Sequence, residues 1–310
     1  MSKNKNEFRY ILFISLVIFI FVFIIISGAN GIVSNFEVST FISTLVWLIA
    51  SLIISFAIVL AFTLLSSRVE NVMIILRRRY RFENLSNPLL LRLSYEAPGT
   101  YHHSLNVSNL AQRACKEIGA DSLLARVASY YHDIGKLDSP ASYIENQAHA
   151  EIPTDESKTS IKRDAKVIIS HVEKGVEIAK EGHLSEDLIS VIQEHHGTTR
   201  AEYFFERAKE KGVKMKFTDF RYPGPTPQSK ESAIIMLADN IEAIARSKEY
   251  LNDDIIAEIV EKAIEAKLSE GQLNSANFSE SEIAKIRSSL IKTLSSIYHQ
   301  RISYETNGKS

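Results

Sequence analysis

The sequence predicts an all-α protein, with two N-terminal transmembrane helices followed by a helical cytoplasmic domain. Three observations carry that prediction. Two long uncharged apolar runs open the chain, apolar residues beyond them recur at helical spacing nearly everywhere, and no stretch alternates as a half-buried strand would. The 310 residues suffice for one sizeable domain or two small ones. A net charge of −1 argues against a nucleic-acid-binding polycation, so no stable nucleic-acid partner is expected. The single cysteine, Cys115, excludes an internal disulfide framework and a thiolate-rich zinc site, and it fits a reducing compartment.

The elements follow in order. Tyr10 to Phe36 carries no charge, Glu37 intervenes, and Val38 to Ser67 is again uncharged. A helix rises ~1.5 Å per residue and a bilayer core is ~30 Å thick, so about 20 residues span it. The runs at about 10–27 and 40–66 are therefore read as spans. The first exceeds the usual signal-peptide core of ~7–15 residues, and no small-residue cleavage site follows it. Lys3, Lys5 and Arg9 precede the first span, the outer loop has no Lys or Arg, and Arg68 with "RRRYR" (Arg77 to Arg81) follows the second. The positive-inside rule puts both termini in the cytoplasm. Residues 1–67 then form a membrane anchor in the lipid bilayer, 68–82 a helical basic linker, 83–303 the soluble domain and 304–310 a tail.

Pro88, Pro98 and Gly99 punctuate the entry to the soluble domain. Helices are predicted over 104–119, ending at Gly119, and over 121–136, capped by Asp121 and running through His132-Asp133. Further helices are predicted over 165–182, closing at Gly182, over 185–197, stopping at Gly197, and over 230–247. Two amphipathic helices end the domain, 253–271 and 279–302, the second with a capping box of Ser279 and Glu282. Residues 148–160 and the proline-rich 217–230 read as loops.

Of nine histidines, several sit within or at the ends of apolar helices, where an unsatisfied imidazole is costly. In chain order the candidates are His103, His132, Asp133, His171, His195, His196 and Asp239. Imidazole and carboxylate together suit first-row divalent metals such as Mn, Fe or Zn, and a helical bundle can gather such ligands in its core. These candidates exceed what one ion takes, and a carboxylate beside a histidine can bridge two. Two ions ~3.5–4 Å apart can share an activated hydroxide and clamp a phosphodiester. Asp133 is the bridging candidate, and Lys136, one turn after His132, is placed to neutralise a phosphate. Asn146, Thr198 and Arg246 are weaker candidates for substrate contacts. His102 is placed behind His103, and His149, His183 and His299 receive no role.

The order H…HD…H…HH…D resembles the HD-domain phosphohydrolases. "APGTYHHSLNVSNLA", "LLARVASYYHDIGK", "YIENQ", "IISHVEKGVE", "EHHGTT", "FRYPGPTPQSKESAIIMLADNIEA" and "GQLNSANF" resemble the seven-transmembrane-receptor HD family, which contains the PgpH-type cyclic di-AMP phosphodiesterases. The resemblance runs from about 85 to 303. It implies an all-helical HD domain and two divalent ions, Mn or Fe ahead of Zn. One ion would take His103, His132, Asp133 and Asp239; the other would take Asp133, His171, His195 and His196. It also implies a cyclic dinucleotide substrate, cyclic di-AMP cut to pApA, and a multi-pass protein of the bacterial cytoplasmic membrane; a homodimer stays open. The chain departs from that family in having two predicted spans and almost no outer loop, where the family has seven and a large extracellular domain. The loop 148–160 also lacks the family's "NPHD" stretch. Two readings stand beside this one. One is an HD hydrolase of cyclic di-GMP or a linear dinucleotide. The other is an inactive nucleotide-binding signalling module, which would be expected to lack ligands that this chain retains.

Overall fold

Proline at the first helical position costs nothing, because the missing N–H would be unpaired there anyway. The helical bundle opens on that rule twice. Helix α1 (Pro88–Glu96) starts on Pro88, with the Asn87 side chain accepting from Leu89 N–H; α2 (Pro98–Glu117) starts on Pro98. Helix α2 thus begins six residues ahead of the predicted 104, and His103 lies inside it. The computed structural model describes residues 14, 16–21, 42–43, 46–47, 49–62, 64–65, 82–147, 158–214, 216 and 218–302. The chain divides into two compact units, Met1–Arg77 and Arg78–Ser310. In the first, every described residue is helical. Among the described residues no helix is long and apolar enough to cross a membrane. The spans predicted at about 10–27 and 40–66 lie partly outside those residues, as do most of the linker 68–82 and the tail 304–310.

Helix α3 (Ser122–Tyr131) is capped as predicted, Asp121 accepting from Leu124 N–H at 2.9 Å. It does not continue through the His-Asp pair. His132 is its last helical-φ/ψ residue, and Asp133 (φ −104°, ψ 16°) turns the chain into a tight 3₁₀ segment, Ile134–Asp138. The cause is contact: a Cβ on Gly135 would fall 1.8 Å from His171 O and 2.5 Å from Gly175 N, so this segment lies directly on the backbone of α4 (Lys158–Glu181). Helix α4 ends near the predicted Gly182, yet the left-handed residue is His183 (φ 54°). Gly182 instead answers a packing need, since a Cβ there would meet Leu89 Cδ1 at 2.4 Å.

Helix α5 (Glu186–Glu194) leads to Gly197, whose φ of +53° is the left-handed value a glycine accommodates. Helix α6 (Glu202–Glu210) was not foreseen; it seats Phe204 and Phe205 against a satellite cluster of Ile161, Ala165, Ala208, Val213 and Phe220. Helix α7 (Lys230–Arg246) is buried from Ser232 to Asp239, and α8 (Asp253–Ser269) and α9 (Glu280–Ile302) complete the bundle. Among the described residues there is no strand, only an isolated bridge between Arg200 and Arg221. Helix α2 is central, packing on α3, α7 and α9 through Val107, Leu110, Ala111 and Ala114.

The capping box at the start of α9 is present: Ser279 N–H donates to Glu282 Oε2 (2.9 Å) and Glu282 N–H to Ser279 Oγ (3.2 Å). Ser279→Ala should cost about 1 kcal/mol in urea unfolding. The Lys230 ammonium and the Ser279 donors pull the Glu282 carboxyl down to about 2. A depressed carboxyl stabilises the fold above its unfolded pKa and loses that contribution as pH falls through the folded one. Glu282→Gln should therefore remove a small part of the acid-side stability loss between about pH 4.5 and pH 2, with no change at pH 7 in its slope.

Candidate metal centre

Two helix ends and three helix interiors deliver the candidate ligands. His132 ends α3, His195 and His196 follow α5, and His103, His171 and Asp239 project from α2, α4 and α7. All seven come together. Ligand atoms of His103, His132, Asp133 and Asp239 lie within 4.8 Å of one another, as do those of Asp133, His171, His195 and His196. Asp133 belongs to both groups. All but His196 are buried, and Asp133 is 1% exposed.

The tautomers follow from hydrogen bonds to the backbone. His132, His171 and His195 each donate Nδ1–H to the carbonyl three residues earlier, at Ser129 (2.7 Å), Ile168 (2.6 Å) and Ile192 (2.7 Å). Their Nε2 atoms then carry lone pairs, and these converge. His171 Nε2 is 3.2 Å from His195 Nε2 and 3.3 Å from Asp133 Oδ1; His132 Nε2 is 3.4 Å from Asp133 Oδ2. His132 Nε2 and Asp133 Oδ1 are buried without a hydrogen-bond partner. Acceptors facing acceptors in a buried site repel unless a cation lies among them. Burial holds His195 below the usual histidine range and His196 well below it, which keeps both as neutral imidazoles able to ligate. This donor set fits divalent first-row metals.

His103 differs. Its Nε2 is 2.9 Å from Asp239 Oδ1, and its Nδ1 bonds the Glu242 carboxylate. Burial lowers its pKa, but the two carboxylates outweigh that and raise it to about 9. The two carboxylates thus favour positive charge on this side of the site. Lys136 supplies more, with Nζ 2.7 Å from Asp133 Oδ2 and 2.8 Å from Glu145 Oε1. Burial works against the charges of both Asp133 and Lys136, but their attraction prevails: Asp133 lies well below the usual carboxylate range and Lys136 above the usual lysine range.

The three candidate substrate contacts lie around this centre, engaged with other partners. Asn146 accepts from Thr100 N–H (3.0 Å) and donates to Thr100 Oγ1, bracing the start of α2. Thr198 is held by Gln272 through its N–H (3.0 Å) and hydroxyl (2.9 Å). Arg246 is exposed, 3.8 Å from Glu242 Oε2. Sequence reasoning missed Glu242, Asn106, Glu145 and Tyr222. Glu242 stands three residues after Asp239 and Asn106 three after His103, a one-turn spacing that would have found both. Glu145 and Tyr222 come from irregular segments and had no periodic signal. The Tyr222 ring stacks on His196, centroids 4.2 Å apart, because the proline-rich loop is tied down by Tyr222 N–H to Thr199 O (2.9 Å) and Arg221 Nη1 to Thr198 O (2.7 Å).

A helical bundle whose core gathers a His-Asp pair with further histidines and an aspartate defines an HD domain, and the HD-domain family model matches residues 100–244. The crystal structure of the HD domain of the L. monocytogenes phosphodiesterase PgpH superposes with a TM-score of 0.65 at 42% identity, covering 69% of this chain and 100% of that one. A second crystal structure of that domain, in complex with cyclic-di-AMP, gives 0.66 with the same identity and coverage. The cyclic-di-AMP phosphodiesterase PgpH of Bacillus subtilis is 40% identical over 227 residues, 73% of this chain and 32% of that protein. The chain belongs to the PgpH family of HD-domain proteins. It spans about a third of the length of the curated PgpH relatives it matches.

Proposed function

We propose that the protein is a metal-dependent phosphodiesterase that hydrolyses cyclic di-AMP to pApA, with two divalent ions, Mn or Fe, held by the two groups that share Asp133. The carrying observation is this pair of donor groups, in a domain that aligns over the whole of an HD domain crystallised with cyclic-di-AMP. When bound, the ions would supply Lewis acidity toward a phosphodiester and lower the pKa of water. His103, His132, Asp133 and Asp239 would hold one, and Asp133, His171, His195 and His196 the other. Asp133, common to both groups, stays ionised, and Lys136 stays protonated beside it, a fixed positive charge for a phosphate oxygen. Water adds to one phosphorus and the P–O3′ bond breaks, leaving a 5′-phosphate and a 3′-hydroxyl on an opened dinucleotide. Asn146, Thr198 and Arg246 would meet the substrate only by exchanging the partners described above.

Membrane anchorage belongs to the same reading: residues 1–67 as two spans of the bacterial cytoplasmic membrane, and 83–303 as the cytoplasmic HD domain. It rests on the two uncharged runs, on the Lys/Arg distribution, and on exposed apolar side chains such as Phe21, Trp47, Phe56 and Phe62. The test is turnover by the full chain loaded with Mn²⁺ or Fe²⁺, against cyclic di-AMP, cyclic di-GMP and pApA, with products separated by chromatography. Conversion of cyclic di-AMP to pApA is expected, abolished by chelation and restored by Mn²⁺. Turnover of cyclic di-GMP alone would overturn the substrate assignment, and binding without turnover would make the domain a nucleotide-binding module.

A further inference from the structure

His103 is set apart from the other inward-facing histidines by what stands behind it. His132, His171 and His195 lean on backbone carbonyls, which are neutral. His103 leans on a carboxylate, Glu242, that is itself 1% exposed. Glu242 is held from two further sides: Asn106 Nδ2 donates to Oε1 at 3.0 Å, and Arg246 Nη1 lies 3.8 Å from Oε2. A buried carboxylate is costly unless its lone pairs are occupied, and these partners occupy them. The spacing makes the arrangement rigid, because Asn106 is one turn from His103 on α2, and Glu242 is one turn from Asp239 on α7.

We propose that Glu242 is a positioning residue that makes the His103, His132, Asp133, Asp239 group the tighter of the two metal positions. This rests on the metal reading above. A carboxylate accepting from the far nitrogen fixes the ring's orientation and raises the basicity of the ligating one, as a neutral carbonyl does less strongly. Charge points the same way. That group has two carboxylates, with Glu242 behind them, whereas the His171, His195, His196 group has only the shared Asp133. Arg246 then acts through Glu242, holding a carboxylate rather than meeting substrate.

The test is equilibrium dialysis of the metal-free full chain against Mn²⁺, with metal-free melting measured alongside. Wild type is expected to bind two ions in two affinity classes. Glu242→Gln keeps the volume and the Asn106 bond, and should weaken the tight class by about 10–100-fold while leaving the weak class in place. His171→Gln should do the reverse, removing the weak class and sparing the tight one. Glu242→Asp, which keeps the charge, should recover part of the lost affinity, and it decides the matter if Glu242→Gln melts far below wild type. Unchanged affinities in Glu242→Gln, or equal weakening of both classes, would overturn the inference. Absence of Mn²⁺ binding by wild type would overturn the metal reading and this inference with it.

Discussion

Asp133→Asn should abolish the proposed phosphodiesterase activity, by ~10³-fold or more in kcat/KM, the scale on which a fixed electrostatic partner acts in a buried site. The expectation comes from position. Oδ1 faces His171 and His195 at 3.3 and 3.7 Å, while Oδ2 faces His132 and His103 at 3.4 and 3.8 Å, so one side chain serves both groups. An amide keeps the volume but loses the charge, and its NH₂ turns one acceptor into a donor aimed at lone pairs. Both metal positions should weaken together, unlike the selective effect expected at Glu242. Helical content by circular dichroism should stay near wild type, because the side chain contributes little to the apolar core. Full turnover in Asp133→Asn would show that the two groups do not share this ligand.

Gly135→Ala should cost about 3 kcal/mol or more, the upper range for a forced overpacking. For a domain of this size that is a fall in melting temperature of roughly 10 °C. The added methyl has no free direction: it would stand 1.8 Å from His171 O and 2.5 Å from Gly175 N, both backbone atoms that yield only if α4 moves. The opposing surface is equally bare, since a Cβ on Gly175 would meet Ile192 Cγ2 at 2.9 Å. Movement of α4 carries His171 away from Asp133, so Mn²⁺ binding at the His171, His195, His196 group should fall with stability. The glycine is required by space alone, because its φ is not among the left-handed ones. Wild-type melting in Gly135→Ala would mean that α4 and the 3₁₀ segment can separate at no cost.

Residue choice and local chemistry were legible without coordinates. The helices were readable because burying one face of a helix imposes a period near 3.6, and caps such as Asp121 and Ser279 act within a single turn. The seven ligand candidates were readable because imidazole and carboxylate rarely enter apolar helices without a partner. Groups acting across irregular segments were not. Glu145 and Tyr222 sit in stretches with no repeat, so nothing in their neighbourhood announced that they would meet Lys136 and His196. Helix α6 escaped for a related reason, since its two phenylalanines pack on a satellite cluster, and a short amphipathic stretch between loops carries little periodic signal.

Local chemistry shows which side chains can ligate, that they lie within helices or just past helix ends, and that Asp133 stands beside a histidine in the chain. Tertiary structure decided the rest. It ended α3 at the His-Asp pair rather than beyond it, because Gly135 must lie on the backbone of α4. It also chose a carboxylate for His103 and carbonyls for its three counterparts. Helix periodicity is a local consequence of backbone geometry, and one chain segment suffices to reveal it. The partner behind a ligand is set by which distant backbone or side chain packing brings within 3 Å, and no local pattern records that.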